Sequence, residues 1–140
     1  MRIELERRAL QVAVMLACSV PLLAGGAGMA MGADFVRGVD GGPADLDSHF
    51  RYLSGLLAGI GIGFLSCIPR IEDRTARFRL LTLIVLIGGA GRAVSAIETG
   101  LPGLEHRIAL GLELGVTPLL MLWQRRVARR WRQRGAGCAP

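Results

Sequence analysis

Hydrophobic positions in this chain come in long unbroken blocks. Ala9 to Met31 is 23 residues without a charge, and Tyr52 to Ile68 is 17 more. Neither block shows the polar stripe, opposite an apolar one, that a helix at the surface of a water-soluble bundle carries. Their lengths match the roughly 20 residues that cross a hydrocarbon layer of about 30 Å as a helix. Leu80 to Glu98 repeats the pattern with Arg92 inside it. Leu104 to Trp123 does so with Glu105, His106 and Arg107 at its start and Glu113 within. The pattern predicts an all-α integral membrane four-helix bundle over residues 1–124, with spans at 9–31, 52–68, 80–98 and 104–123, followed by a basic tail, 125–140. A second reading takes Arg7-Arg8, the run Ala9 to Ala24 and the small residues after it as a cleaved secretory signal.

The distribution of charge adds an orientation. All seventeen basic residues are arginine, and thirteen of them flank the first span's start, the connection between spans two and three, and the end of span four. Arg37, Arg51 and Arg107 are the three in the other connections, which also hold Asp34, Asp40, Asp45, Asp47, Glu98 and Glu105. Arginine-rich connections stay cytoplasmic, so both termini are expected inside. The net charge of +6 then reflects orientation and not a nucleic-acid groove. Absence of lysine beside abundant Ala, Gly and Arg fits a GC-rich bacterial genome, and hence a multi-pass protein of the inner membrane. In the tail, Trp123, Val127 and Trp131 share a face at spacing four. This predicts a helix along the inner leaflet, with anionic lipid at Arg125–Arg134 as its partner.

Glycines recur at helical spacing: Gly55, Gly59 and Gly63 in span two, Gly88 with Gly91 in span three, Gly111 and Gly115 in span four. Small residues let helix backbones approach closely in lipid, so these faces are expected to pack against each other, a second copy or another membrane protein. GGAGMA at Gly25–Ala30 returns as GGAGRA at Gly88–Ala93. If this echo reflects duplication, the two halves form parallel hairpin repeats about an axis normal to the membrane.

Two charges stand inside the last spans. The breaker Thr99-Gly100-Leu101-Pro102-Gly103 makes these spans a tight antiparallel hairpin. Arg92 lies nine residues before its centre and Glu113 twelve after it. Helical side chains lean toward their own N-terminus, so the two lean toward each other. An isolated charge at mid-membrane costs roughly 2.5–3.5 kcal/mol on insertion scales. An intramembrane ion pair of Arg92 with Glu113 is therefore expected, either locking the hairpin or forming part of an outward-facing ligand site. Ser95, His106 and Thr117 stand along the two faces, with Arg51 and His49 at the other outer connection.

Asp45, Asp47 and His49 sit at spacing two. In an extended segment they would share a side and suit a divalent ion. As the start of a helix, Asp47 or Ser48 would cap exposed amides instead, and that is the preferred reading. No nucleophile with a base, phosphate loop or zinc-spaced cluster appears, so neither catalysis nor a cofactor is expected. Cys18, Cys67 and Cys138 form no CxxC motif.

At RYLSGLLAGIGIGF, GGAGRAVSAIETGLPG and ALGLELGVTPLLMLW the chain resembles the bacterial four-helix membrane family known as domain of unknown function 4345, over about three quarters of its length. The resemblance implies the fold, and singles out Arg92, Gly100, Pro102 and Glu113, then Arg51 and Gly55. It implies no chemistry, since the activity of that family is uncharacterised. The expected role is a non-enzymatic structural or accessory membrane protein, with a small-molecule or ion carrier as the alternative.

Overall fold

The computed structural model describes residues 2–36 and 42–136, so Arg37, Asp40 and Cys138 lie outside the described residues. Those residues are helical throughout, with no strand among them: α1 (Arg2–Met31), a 3₁₀ turn (Gly32–Phe35), α2 (Ala44–Leu65), a second 3₁₀ turn (Ile68–Arg70), α3 (Thr75–Thr99), α4 (Leu104–Gly111), a π turn (Leu112–Val116) and α5 (Thr117–Ala136). Three helical stretches, Arg2–Phe35, Ala44–Arg70 and Thr75–Thr99, are long and apolar enough to cross a membrane. The chain divides into two compact units, Val12–Ile68 and Met1–Gln11 with Pro69–Pro140.

In the unit Val12–Ile68, α1 and α2 run antiparallel, and small residues set how close they come. A Cβ on Gly25 would lie 2.7 Å from the Ser54 carbonyl oxygen and 2.8 Å from the Ala58 amide nitrogen. Gly28 meets Ser54 and Phe50, and Gly61 meets Leu22 and Pro21. The contact ridge on α2 is therefore Ser54, Ala58 and Gly61. The expected ridge of Gly55, Gly59 and Gly63 stands one residue further round. Gly55 touches only the Met29 side chain, and a Cβ on Gly59 would meet nothing within 4 Å. The carbonyl of Gly63 accepts hydrogen bonds from the Ser66 hydroxyl at 2.6 Å and the Cys67 thiol at 3.5 Å. Glycine spacing marks a helix surface that can be approached; it does not say which neighbour approaches it.

The end of α1 is closed by side chains of α2. Gly32, just past the last helical residue, has φ +65°, a left-handed conformation that glycine adopts without steric cost. A Cβ there would also collide with the Asp47 carboxylate and crowd the Arg51 guanidinium. Arg51 donates to the carbonyls of Met29 and Ala30, and to Asp47 at 2.8 Å. Asp47 in turn accepts the Ala33 amide at 2.9 Å. The free carbonyls at a helix C-terminus carry partial negative charge, which an arginine complements.

Asp47 thus serves the end of α1 and does not cap its own helix, whose N-cap is Pro43. The same geometry removes the metal arrangement considered for Asp45, Asp47 and His49. These residues are helical, so spacing two turns Asp47 about 200° away from each of the other two. Among the described residues no three His, Cys, Asp or Glu side chains group as a metal site would require.

The second unit gathers α3, α4, the π turn, α5 and the first turns of α1. Phe78, Thr82, Ile71, Gln124, Val127 and Ala128 are fully or almost fully buried. Gln124 donates its amide to the Ile71 carbonyl at 2.7 Å and to the Thr75 hydroxyl at 2.9 Å, which ties α5 to the start of α3. Glu6 receives Arg126 at 3.1 Å and Arg130 at 2.9 Å, and Glu4 receives Arg134 at 3.3 Å. Arg7 donates to the nearly buried Glu72 at 2.7 Å and to the Pro69 carbonyl at 2.9 Å, and stands 5.3 Å over the Trp131 ring. The basic segment after residue 124 accordingly does not turn aside as a separate helix. It continues α5 unbroken, with Val127 and Ala128 inside the unit.

Substitution of the two kinds of glycine separates these roles. Gly25→Ala should lower the midpoint of thermal unfolding in detergent, since backbone atoms stand where the methyl must go. Gly59→Ala should leave it unchanged or raise it, because alanine is favoured over glycine within a helix by roughly 0.5–1 kcal/mol where space allows. Circular dichroism melts of both variants beside the wild type make the comparison.

Candidate functional site

The connection between α3 and α4 is Gly100 to Gly103, and so short a link makes the two helices neighbours. Gly100 has φ +97°, which only glycine tolerates readily, and it ends α3 abruptly. Below this turn the helices come closest at Gly89, where a Cβ would lie 2.8 Å from Leu114 and 3.1 Å from the Cβ of Glu113. That approach carries the next residues of α3 against the π turn. Arg92 donates Nε to Oε2 of Glu113 at 3.1 Å and Nη2 to Oε1 at 3.2 Å. The guanidinium and carboxylate meet fork to fork, the geometry that gives arginine its preference for planar anions. Relative exposures of 33% for the arginine side chain and 20% for the glutamate leave the pair at the surface of its unit.

Glu113 stands in a π turn, and the local sequence gives the reason. Pro118 has no amide hydrogen for the Leu114 carbonyl, and in a regular α-helix its ring would collide with that oxygen. A wider turn just before the proline relieves both problems. The amide of Thr117 bonds to the Leu112 carbonyl five residues back. The Thr117 hydroxyl donates to the same carbonyl at 2.9 Å. The extra residue shifts the phase of α4 against α5 by about 100°. Glu113 can then face α3 while α5 turns Gln124 and Val127 inward.

The other expected site residues do not join the pair. Ser95 is exposed, and its carbonyl takes the Thr99 hydroxyl at 2.8 Å. His106 is exposed in the first turn of α4, its amide bonded to the Gly103 carbonyl at 3.1 Å. The Thr117 hydroxyl is committed to the helix backbone. Arg51 and His49 belong to the other compact unit, where Arg51 closes α1 and His49 is exposed on α2. Gly88, Gly111 and Gly115 have open space where a side chain would be, so none is a contact point within the chain.

Four residues without a place in the sequence-based site carry the clearest interactions near the chain ends: Glu6, Glu72, Gln124 and, through the approach of α3, Gly89. Only Pro118 gave a local signal of what surrounds Glu113, as a proline inside an otherwise continuous apolar run.

One family model, described as Domain of unknown function (DUF4345), matches residues 9–124. No curated protein and no solved structure matches the chain.

Replacing Arg92 or Glu113 alone by alanine should destabilise the protein by on the order of 2–3 kcal/mol, since each leaves its partner charged without a counter-ion in an apolar setting. The double exchange Arg92→Glu with Glu113→Arg should recover most of that loss. A double-mutant cycle read from unfolding midpoints measures the coupling, and additive losses would argue against a working pair.

Proposed function

This chain belongs to the domain of unknown function 4345 family, and on that premise we propose that it is a non-enzymatic structural or accessory protein of the bacterial inner membrane. In this reading four segments cross the bilayer, the fourth being α4, the π turn and the first turns of α5, and both ends face the cytoplasm. Support for the orientation comes from the arginines, thirteen of which cluster on one side of such a layout. Residues 2–11 hold Glu4, Glu6 and Arg7, which pair with α5 and Glu72. This favours a retained first helix over a removed signal.

The observation that carries the structural role is closure of the Arg92–Glu113 pair. Both carboxylate oxygens are engaged by the arginine, and the Thr117 hydroxyl, four residues after Glu113, is bonded to backbone. Such an arrangement commits the carboxylate and fixes hairpin register. A carrier is the second reading. It draws on the π turn, since such turns recur at functional sites, and on the partial exposure of Arg92.

A thermal-shift screen of small anions, cations and amphiphiles against wild type and Glu113→Gln discriminates the two. The structural reading expects no compound to stabilise the wild type selectively. A compound that raises the wild-type midpoint and loses that effect in Glu113→Gln would establish the carrier instead.

Anionic lipid at the cytoplasmic surface is the partner in this reading, met by the arginines of α5 that no carboxylate holds among the described residues. Arg126, Arg130 and Arg134 are paired with Glu6 and Glu4. Arg125, Arg129 and Arg132 lie on another face of the helix, which the exposed apolar Leu122 borders one turn earlier. A helix face that is greasy and then basic suits acyl chains followed by headgroup phosphates. Replacing Arg125, Arg129 and Arg132 by glutamine should reduce co-purifying anionic phospholipid, read by native mass spectrometry, with little loss of thermal stability. The triple variant at Arg126, Arg130 and Arg134 should do the reverse.

A further inference from the structure

The closed pair leaves part of Arg92 without an acceptor. Nε and Nη2 reach Glu113, while Nη1 makes no hydrogen bond among the described residues. Both oxygens of Glu113 are already taken by the same arginine. Arg92 lies nine residues from the turn at Leu101, about 13.5 Å along the helix at about 1.5 Å per residue. In a layer about 30 Å thick that is close to the midplane. There neither water nor headgroups satisfy the remaining N–H groups cheaply.

The surface around the pair is stripped of side chains. Gly88, Gly91 and Ser95 recur at helical spacing on α3 beside Arg92 and are exposed. A Cβ on Gly88 or Gly91 would meet nothing within 4 Å. Only 11% of the most apolar window of α3 is buried. Small residues that no neighbour uses allow another backbone to come close, and close approach is what holds helices together in lipid.

We propose that this face, Gly88, Gly91, Arg92 and Ser95 of α3 with Glu113 of the π turn, docks a second copy of the chain about a two-fold axis. The proposal rests on the membrane reading above and names the partner within it. An arginine–glutamate pair is its own electrostatic complement: a two-fold rotation sets the positive end of one against the negative end of the other. The four charges then alternate, and Nη1 of Arg92 finds the carboxylate of the second copy. The bare glycines Gly88 and Gly91 beside Arg92 permit the two hairpins to approach within hydrogen-bonding range.

The chain mass is 14.9 kDa, and native mass spectrometry from lipid nanodiscs should give twice that value for the wild type. A Cβ at Gly88 or Gly91 meets no atom within 4 Å, so in Gly88→Leu and Gly91→Leu the helix content and unfolding midpoint of the monomer should persist while dimer dissociation rises by roughly tenfold or more. Ser95→Cys, in a background without the native cysteines, should cross-link in membranes. Ile97→Cys, about 200° round the same helix, should not.

A wild-type monomer at every concentration, or a dimer indifferent to both leucines, would overturn the proposal. If the Arg92/Glu113 exchange rescues stability while the protein stays monomeric, docking alone fails and the intramembrane pair stands. If the exchange fails to rescue, the pair itself is wrong.

Discussion

The two-point contact between the Arg92 guanidinium and the Glu113 carboxylate can form at only one height along the hairpin, and so fixes the register of α3 against the segment that follows it. The turn from Gly100 to Gly103 sets the helices side by side but leaves them free to slide; the fork between Arg92 and Glu113 removes that freedom. Gly89 favours the fork, since a side chain there would crowd Leu114 and the Cβ of Glu113. Pro118 contributes from the other side by favouring a wider turn, on which Glu113 rides. Four positions of different chemistry therefore serve a single contact. The energetic asymmetry is large: the pair adds modest attraction, whereas either member alone is a charge with nowhere to go.

The unit Val12–Ile68 solves a different polar problem, that of a helix end. The last carbonyls of α1 have no amides to accept from, and the chain must reverse direction within a few residues. Arg51 supplies donors to Met29 and Ala30, Asp47 orients Arg51 and takes the Ala33 amide, and Gly32 provides the left-handed residue. The two charged side chains sit one helical turn apart on α2 and act together, and Phe35 stands 6.1 Å from Phe50 beside them. The small face of Ser54, Ala58 and Gly61 continues the contact along α2.

How much of this was legible in advance depended on the range of the interaction. The first three helices were legible because apolar runs of membrane length need no tertiary information, whereas the run from Leu104 to Trp123 is divided by the π turn before Pro118. The Arg92–Glu113 contact could be placed because a short turn turns sequence distance into depth, so counting residues and noting the lean of side chains sufficed. The glycine contacts could not be placed the same way. Spacing four from Gly55 to Gly63 is real, yet the ridge that α1 uses begins at Ser54, and only the partner decides between adjacent ridges. Asp47 was misread as the cap of its own helix because its acceptor role is set by Ala33, which belongs to a different helix end. Glu6, Glu72 and Gln124 carried no local signal at all: their partners lie 124, 65 and 53 residues away.

The arginines after Trp123 show how helical phase divides one residue type between two jobs. At spacing four, Arg126, Arg130 and Arg134 fall on a stripe that faces the acidic first turns of α1, and Glu4 and Glu6 neutralise much of their charge. Arg125, Arg129 and Arg132 fall on a second stripe, bordered by the exposed Leu122. A count of positive charges treats the two stripes as equivalent, and an orientation argument needs nothing more. An argument about binding does, since an arginine already held by a carboxylate has less charge to offer a phosphate. Val127 and Ala128, fully buried on the opposite side of the helix, fix its rotation and thereby settle which stripe is which. The division of the arginines between the two stripes is therefore set by an apolar contact.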